Sequence, residues 1–167
     1  MNQVWKNIKS VDYKSCDDCI SDFKKKNYRI SPWIENIIKN KNLKFKNYDY
    51  PIQLVRKNVS SLGFDGPTEL QEIYKKINSF GLKLVPPEIA ILTRKFYEEQ
   101  KTGEWLRFAT PMDSMIDTDG VPHLPKLGKA LGFYFIETYW SYSKAIFHPH
   151  NEFVFILPNE KNIEDDN

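Results

Sequence analysis

Acidic, imidazole and aromatic side chains fall at spacings that could do chemistry in the second half of the chain. Asp113, Asp117 and Asp119 precede Gly120, and alternate carboxylates before a glycine are the pattern of a cation-binding loop. Registering Gly120 on the glycine of a calcium loop puts Met115 at the first ligand position and Lys126 at the last, so that reading fails. Asp117-Thr118-Asp119-Gly120 is expected instead to form an Asx-rich turn. His148-Pro149-His150, with His123 upstream, offers three imidazoles, enough for a catalytic zinc that keeps its fourth position open. His123, His148 and His150 are therefore the metal candidates, although His-Pro-His also reads as an exposed turn between strands.

Residues 131–142 alternate in a way that makes both faces aromatic: Tyr134, Ile136, Trp140 and Tyr142 on one, Leu131, Phe133, Phe135 and Tyr139 on the other. Such a strand is either covered on both sides or uses the polar tips of Tyr139, Trp140 and Tyr142 at a ligand rim. Glu104, Trp105 and Arg107 lie together on a second predicted strand, where a carboxylate and a guanidinium could pair around a ligand. The candidate ligand-binding residues are thus Glu104, Trp105, Arg107, Asp117, Asp119, Tyr139, Trp140 and Tyr142. Cys16 and Cys19 have redox spacing but no second cysteine pair, and a helical face uses cysteine as a small hydrophobe. No Walker loop, dinucleotide-binding glycine pattern, nucleophile elbow or kinase signature occurs, so no cofactor is expected.

The elements that must hold these residues follow from periodicity and punctuation. Cys19, Ile20 and Phe23, with Cys16 one turn earlier, predict a helix over 15–27 whose lysines, Lys24 to Lys26, occupy its last turn. Ser31-Pro32 is an N-cap and first-turn signal for a second helix carrying Trp33, Ile34, Ile37 and Ile38, ending by Asn42. Residues 52–57 predict a strand. Thr68 and Gln71 are read as a capping box opening a helix that Gly81 ends. Pro86-Pro87 opens another over 87–99. Residues 105–109, 131–142 and 153–157 predict strands, with a long irregular connection over 110–129 punctuated by Pro111, Pro122, Pro125 and Gly128. The expected class is α+β, with N-terminal helices packed on a C-terminal antiparallel sheet or small partial barrel.

Size and composition agree with one domain over 1–158 and a disordered polar tail over 159–167. The 167 residues suffice for a core, and 41% hydrophobic with 14% aromatic content excludes a disordered chain. Residues 1–14 contain no signal-peptide core and no stretch reaches membrane-spanning length, so a cytoplasmic protein without membrane contact is expected. Residues 1–60 hold 13 Lys or Arg against 6 Asp or Glu, whereas 61–167 hold 11 against 16. That basic third leaves nucleic acid as one possible partner, by electrostatics alone.

Val4-Trp5-Lys6, Ile30-Ser31-Pro32-Trp33, Leu62-Gly63-Phe64, Glu72-Ile73-Tyr74, Pro86-Pro87-Glu88, Gly103-Glu104-Trp105-Leu106 and Asp117-Thr118-Asp119-Gly120 form scattered blocks across nearly the whole chain. In these the chain resembles a group of small bacterial proteins of unknown function. The resemblance implies a standalone domain and transfers no catalytic residue. The leading expectation is a binding or accessory protein that recognises a small molecule or a protein partner through the 110–129 loop and the aromatic strand end. The alternatives are a hydrolytic enzyme using Glu104, Arg107, Asp119 or a histidine, and a nucleic-acid-binding protein using the basic third.

Overall fold

The computed structural model describes residues 2–159, and their alternating apolar patterns resolve into a seven-stranded sheet with helices on both faces. In chain order the elements are β1 (Lys6–Ile8), α1 (Cys16–Lys25), β2 (Arg29–Ile30), α2 (Pro32–Lys41), β3 (Ile52–Asn58), β4 (Thr68–Glu69), α3 (Leu70–Lys76), α4 (Pro87–Thr93), β5 (Trp105–Phe108), β6 (His123–Ala130), β7 (Phe133–Trp140), β8 (Ile146–Phe147) and β9 (Glu152–Leu157). Short 3₁₀ turns follow β3, α3 and α4. The sheet runs β1-β3-β9-β5-β6-β7-β2, antiparallel except at β5·β9 and β2·β7, while β4 and β8 form a separate ribbon. The α+β class stands. The sheet is not built from the last third alone, because β1 and β3 complete one edge and β2 joins the other.

Period-two alternation divides the core between the two faces. Leu54, Leu106, Phe108, Leu127, Ile136 and Val154 point to a first core shared with α1, α2 and α4. Val55, Leu124, Phe153 and Phe155 point the other way, to a second core with Leu70, Ile73 and Ile77 from α3 and its 3₁₀ extension and Phe147 of β8. This second layer covers only one end of its face. Trp105, Lys126, Gly128, Phe135 and Glu137 occupy the remainder through the registers Trp105↔Gly128↔Phe135 and Arg107↔Lys126↔Glu137.

Helix signals at the N-terminus match the structure closely. Ser15 caps α1, and Ser31 Oγ accepts from the Trp33 N–H at 3.2 Å with Pro32 in the first turn of α2, which Asn42 ends in a left-handed conformation. Thr68 is a correction. It belongs to β4, opposite Phe147, and its hydroxyl donates to the Gly66 carbonyl, so no Thr68–Gln71 capping box forms. The free N–H groups at the start of α3 are met by backbone instead, Leu70 N–H donating to Ala145 O and Gln71 N–H to Ser143 O. The helix predicted over 87–99 tightens into a 3₁₀ turn after Thr93.

The largest correction is the 110–129 connection. Its second half is β6, a central strand, and the irregular part stops at Pro122. Pro125 is tolerated because it stands opposite Thr138, where the β7 ladder takes no hydrogen bond, and β5 pairing begins only at Arg107↔Lys126. The expected tail falls outside the described residues save Asn159, whose amide donates to the Asp49 carbonyl. Among the described residues no helix is long and apolar enough to cross a membrane.

Candidate functional site

β2 is two residues long, and its brevity creates the site. Ser31 N–H donates to Ile136 O at 2.9 Å, after which the chain turns into α2 and the outer edge of β7 beyond Ile136 has no strand partner among the described residues. By the alternation of an antiparallel pair, Thr138 and Trp140 direct their backbone polar groups to this same edge. Trp33, in the first turn of α2, forms one wall, and the turn at 117–121 forms the other. Together with β7 they enclose a cavity of about 470 Å³ lined by Trp33, Asp117, Asp119, Val121, His123, Glu137, Thr138, Tyr139 and Trp140.

The turn is built around Asp117, as its Asx pattern predicts. Asp117 Oδ1 accepts from the N–H groups of Asp119 at 2.8 Å and Val121 at 3.0 Å, while His123 Nε2–H donates to Oδ2 at 2.8 Å. Burial alone would raise this carboxyl, but the His123 bond and the two N–H bonds outweigh it and hold the carboxyl below its ordinary value. α2 anchors the turn from outside: Asn36 exchanges hydrogen bonds of 3.0 Å with Thr118, and Asn40 donates to Ile116 O at 2.9 Å. His123 is 4% exposed, stacks on Trp33 at 5.8 Å and leaves Nδ1 without a partner among the described residues.

The cavity therefore joins three kinds of surface: aromatic rings, a buried carboxylate–imidazole pair and the carboxylates of Asp119 and Glu137. Its lining contains no Lys or Arg. Trp33 and Trp140 are 44% and 58% exposed, unusual for indoles of this size, and both border the cavity.

Of the residues singled out by sequence, Asp117, Asp119, His123, Tyr139 and Trp140 converge here. Tyr142 is exposed and does not line the cavity. Trp105 and Arg107 do not line the cavity; they lie on the sheet face to which Tyr139 and Glu137 point, with Arg107 above the Tyr139 ring at 5.3 Å. Glu104 lies elsewhere: its Oε1 accepts from Tyr97 at 2.6 Å and faces Arg56 Nη2 at 3.3 Å, in a network that Glu152 completes by a two-point pair with Arg56. That network borders a larger hollow of about 700 Å³, whose guanidinium is already matched by protein carboxylates. Glu104 and Arg107 thus work on opposite faces and do not form the expected carboxylate–guanidinium site.

The three-histidine metal site is also corrected. His148 and His150 stack on each other at 6.0 Å in the exposed turn before β9, whereas His123 is buried against Asp117. No group of three or more metal-ligating side chains exists among the described residues. Cys16 and Cys19 are buried thiols in the first core, and burial pushes the Cys19 thiol up to about 12 and the Cys16 thiol further. Several N-terminal cations are matched by acidic groups: Lys6 by Glu99, Lys24 by Glu35 and Arg56 by Glu104 and Glu152.

Comparison of the chain with protein-family models, with curated proteins and with solved structures finds no match in any of the three.

Proposed function

We propose that the chain is a binding module that takes a small organic cation in the cavity beside the free edge of β7. The carrying observation is the lining itself, in which two exposed indoles and Tyr139 stand with the Asp119 and Glu137 carboxylates and no Lys or Arg. Aromatic faces and carboxylates attract a cation together, through the ring quadrupole and through charge. A volume of about 470 Å³ suits a ligand of small-molecule size. The Asp117–His123 pair fixes the turn that carries Asp119, so the negative wall is rigid before a ligand arrives. The block resemblance to small bacterial proteins is compatible with a self-standing module and adds no catalytic role.

Tetramethylammonium is the simplest probe. Titration is expected to quench tryptophan fluorescence saturably, and Trp140→Ala is expected to weaken binding about tenfold, between the values of an exposed and a desolvated cation–π contact. Binding that is undetectable, or unchanged in Trp140→Ala and in Trp33→Ala, overturns the reading. A hydrolytic reading has the Asp117–His123 pair in its favour, because a carboxylate that orients an imidazole is the arrangement of a general base. Against it stand the burial of His123 and the separation of Glu104 and Arg107 onto opposite faces.

A further inference from the structure

Arg107 is half-buried on the sheet face away from α1, α2 and α4, and among the described residues no hydrogen-bond acceptor or carboxylate meets its guanidinium. Its Nε is fully enclosed without a partner. Two rings are its nearest company, Tyr139 at 5.3 Å and Phe147 at 5.7 Å. A guanidinium carries five donors, and buried polar groups are almost always satisfied, so this one needs an explanation. Its directly opposed neighbour makes the arrangement costlier still. Lys126 faces Arg107 across the β5·β6 register on the same side of the sheet, and like charges directly opposite one another destabilise a sheet. Glu137 is the cross-strand partner of Lys126 on β7, on the same side of the sheet; its charge favours the Lys126 ammonium, but among the described residues it makes no ion pair with either cation. Lys126 lies instead over the Trp105 ring at 4.9 Å and the Tyr139 ring at 5.8 Å.

We propose that Arg107 and Lys126 form a binding site for an oxyanion of phosphate or carboxylate class carried by a small molecule. A single anion between them converts a repulsive pair into two charge-assisted contacts and gives the guanidinium the planar, two-point acceptor that its geometry matches best. Both cations are shifted below their ordinary values, chiefly by burial, and Arg107 lowers Lys126 further against an opposing pull from Glu137. The inference goes beyond the cation cavity and does not rest on it: Tyr139 and Glu137 adjoin both sites, but Arg107 and Lys126 do not line the cavity and would take a ligand of opposite charge.

The test is thermal unfolding at constant ionic strength, with chloride replaced stepwise by inorganic phosphate in one series and by acetate in another. At tenfold the dissociation constant a specific anion is expected to raise Tm by about 3 °C. Arg107→Met is expected to abolish that rise and to melt in chloride no lower than the parent, because it removes an unpaired buried charge. Response to phosphate alone, to acetate alone or to both assigns the class. Phosphate stabilises many proteins by exclusion from their surface, so a rise that persists in Arg107→Met is that generic effect and overturns the proposal. Absence of any response in the parent overturns it as well. Lys126→Met gives the same decision should the first variant not fold: a parent-like response in it is equally fatal.

Discussion

Asp117 holds three hydrogen bonds at once, two from backbone N–H groups of its own turn and one from His123. All three favour the ionised carboxyl, and its folded pKa is depressed. A depressed carboxyl contributes stability that is present above its unfolded value, near 3.8, and is lost as pH falls through the folded value. Asp117→Asn should therefore be less stable than the parent at neutral pH, and the gap in urea midpoint should close as pH drops below about 4. A gap of equal size at pH 7 and pH 2.5 would show that the contribution does not come from charge. Trp33 and Lys126 take their roles from groups distant in sequence. Trp33 was legible as part of an apolar stripe, yet Ile34, Ile37 and Ile38 form the buried face of α2 and Trp33 stands beside it, free to wall the cavity. Lys126 carried no signal, because its meaning comes from Arg107 across a register that the flanking Pro125 and Gly128 concealed.

At the level of elements, β5 and β6 meet around a glycine that has no left-handed torsion to excuse it. Gly128 is required by proximity: a Cβ there would lie 2.2 Å from Cζ3 of Trp105, whose indole packs against the β6 backbone at this point. Gly128→Ala should force Trp105 off the strand and cost about 1–3 kcal/mol, the usual range for overpacking, read as a lower urea midpoint. Trp105→Ala in the same chain should recover most of that loss, and additive costs in the double variant would show that the two residues do not meet. In sequence this glycine looked like punctuation in a loop. The same ambiguity hid β6 as a whole, since Pro125 and Gly128 are turn residues wherever pairing is unknown. Capping of α3 was misread for a related reason: Thr68 and Gln71 have the right spacing, but the 143–145 backbone, distant in sequence, reaches the helix start first. Elements specified by local chemistry, α1 and α2 above all, were legible in full.

Across the whole molecule, two cores are separated by one layer of sheet, and neighbouring residues on a strand serve different cores, as Leu54 and Val55 do on β3. Neither core keeps its floor if the other loses its strands, so the described fold should unfold as a unit. Arg94 tests how tightly the helical layer is tied to that floor. It has no exposed surface, and its guanidinium donates to Gln100 Oε1 at 2.7 Å, Gly128 O at 3.1 Å, Phe135 O at 3.2 Å and Tyr97 O at 2.5 Å. Burial lowers it to about 10, which leaves it charged at neutral pH, and oxygens rather than a carboxylate compensate that charge. One side chain thereby joins the end of α4 to both β6 and β7. Arg94→Met keeps the apolar stem but strips several buried oxygens of their donor, for which about 3 kcal/mol is the expected loss. Urea unfolding followed by the fluorescence of the four tryptophans and by far-ultraviolet circular dichroism should give coincident curves in the parent and in the variant, displaced together to lower urea. Curves that coincide in the parent and separate in Arg94→Met would mean that this residue supplies the coupling between the layers, and that the shared sheet alone does not.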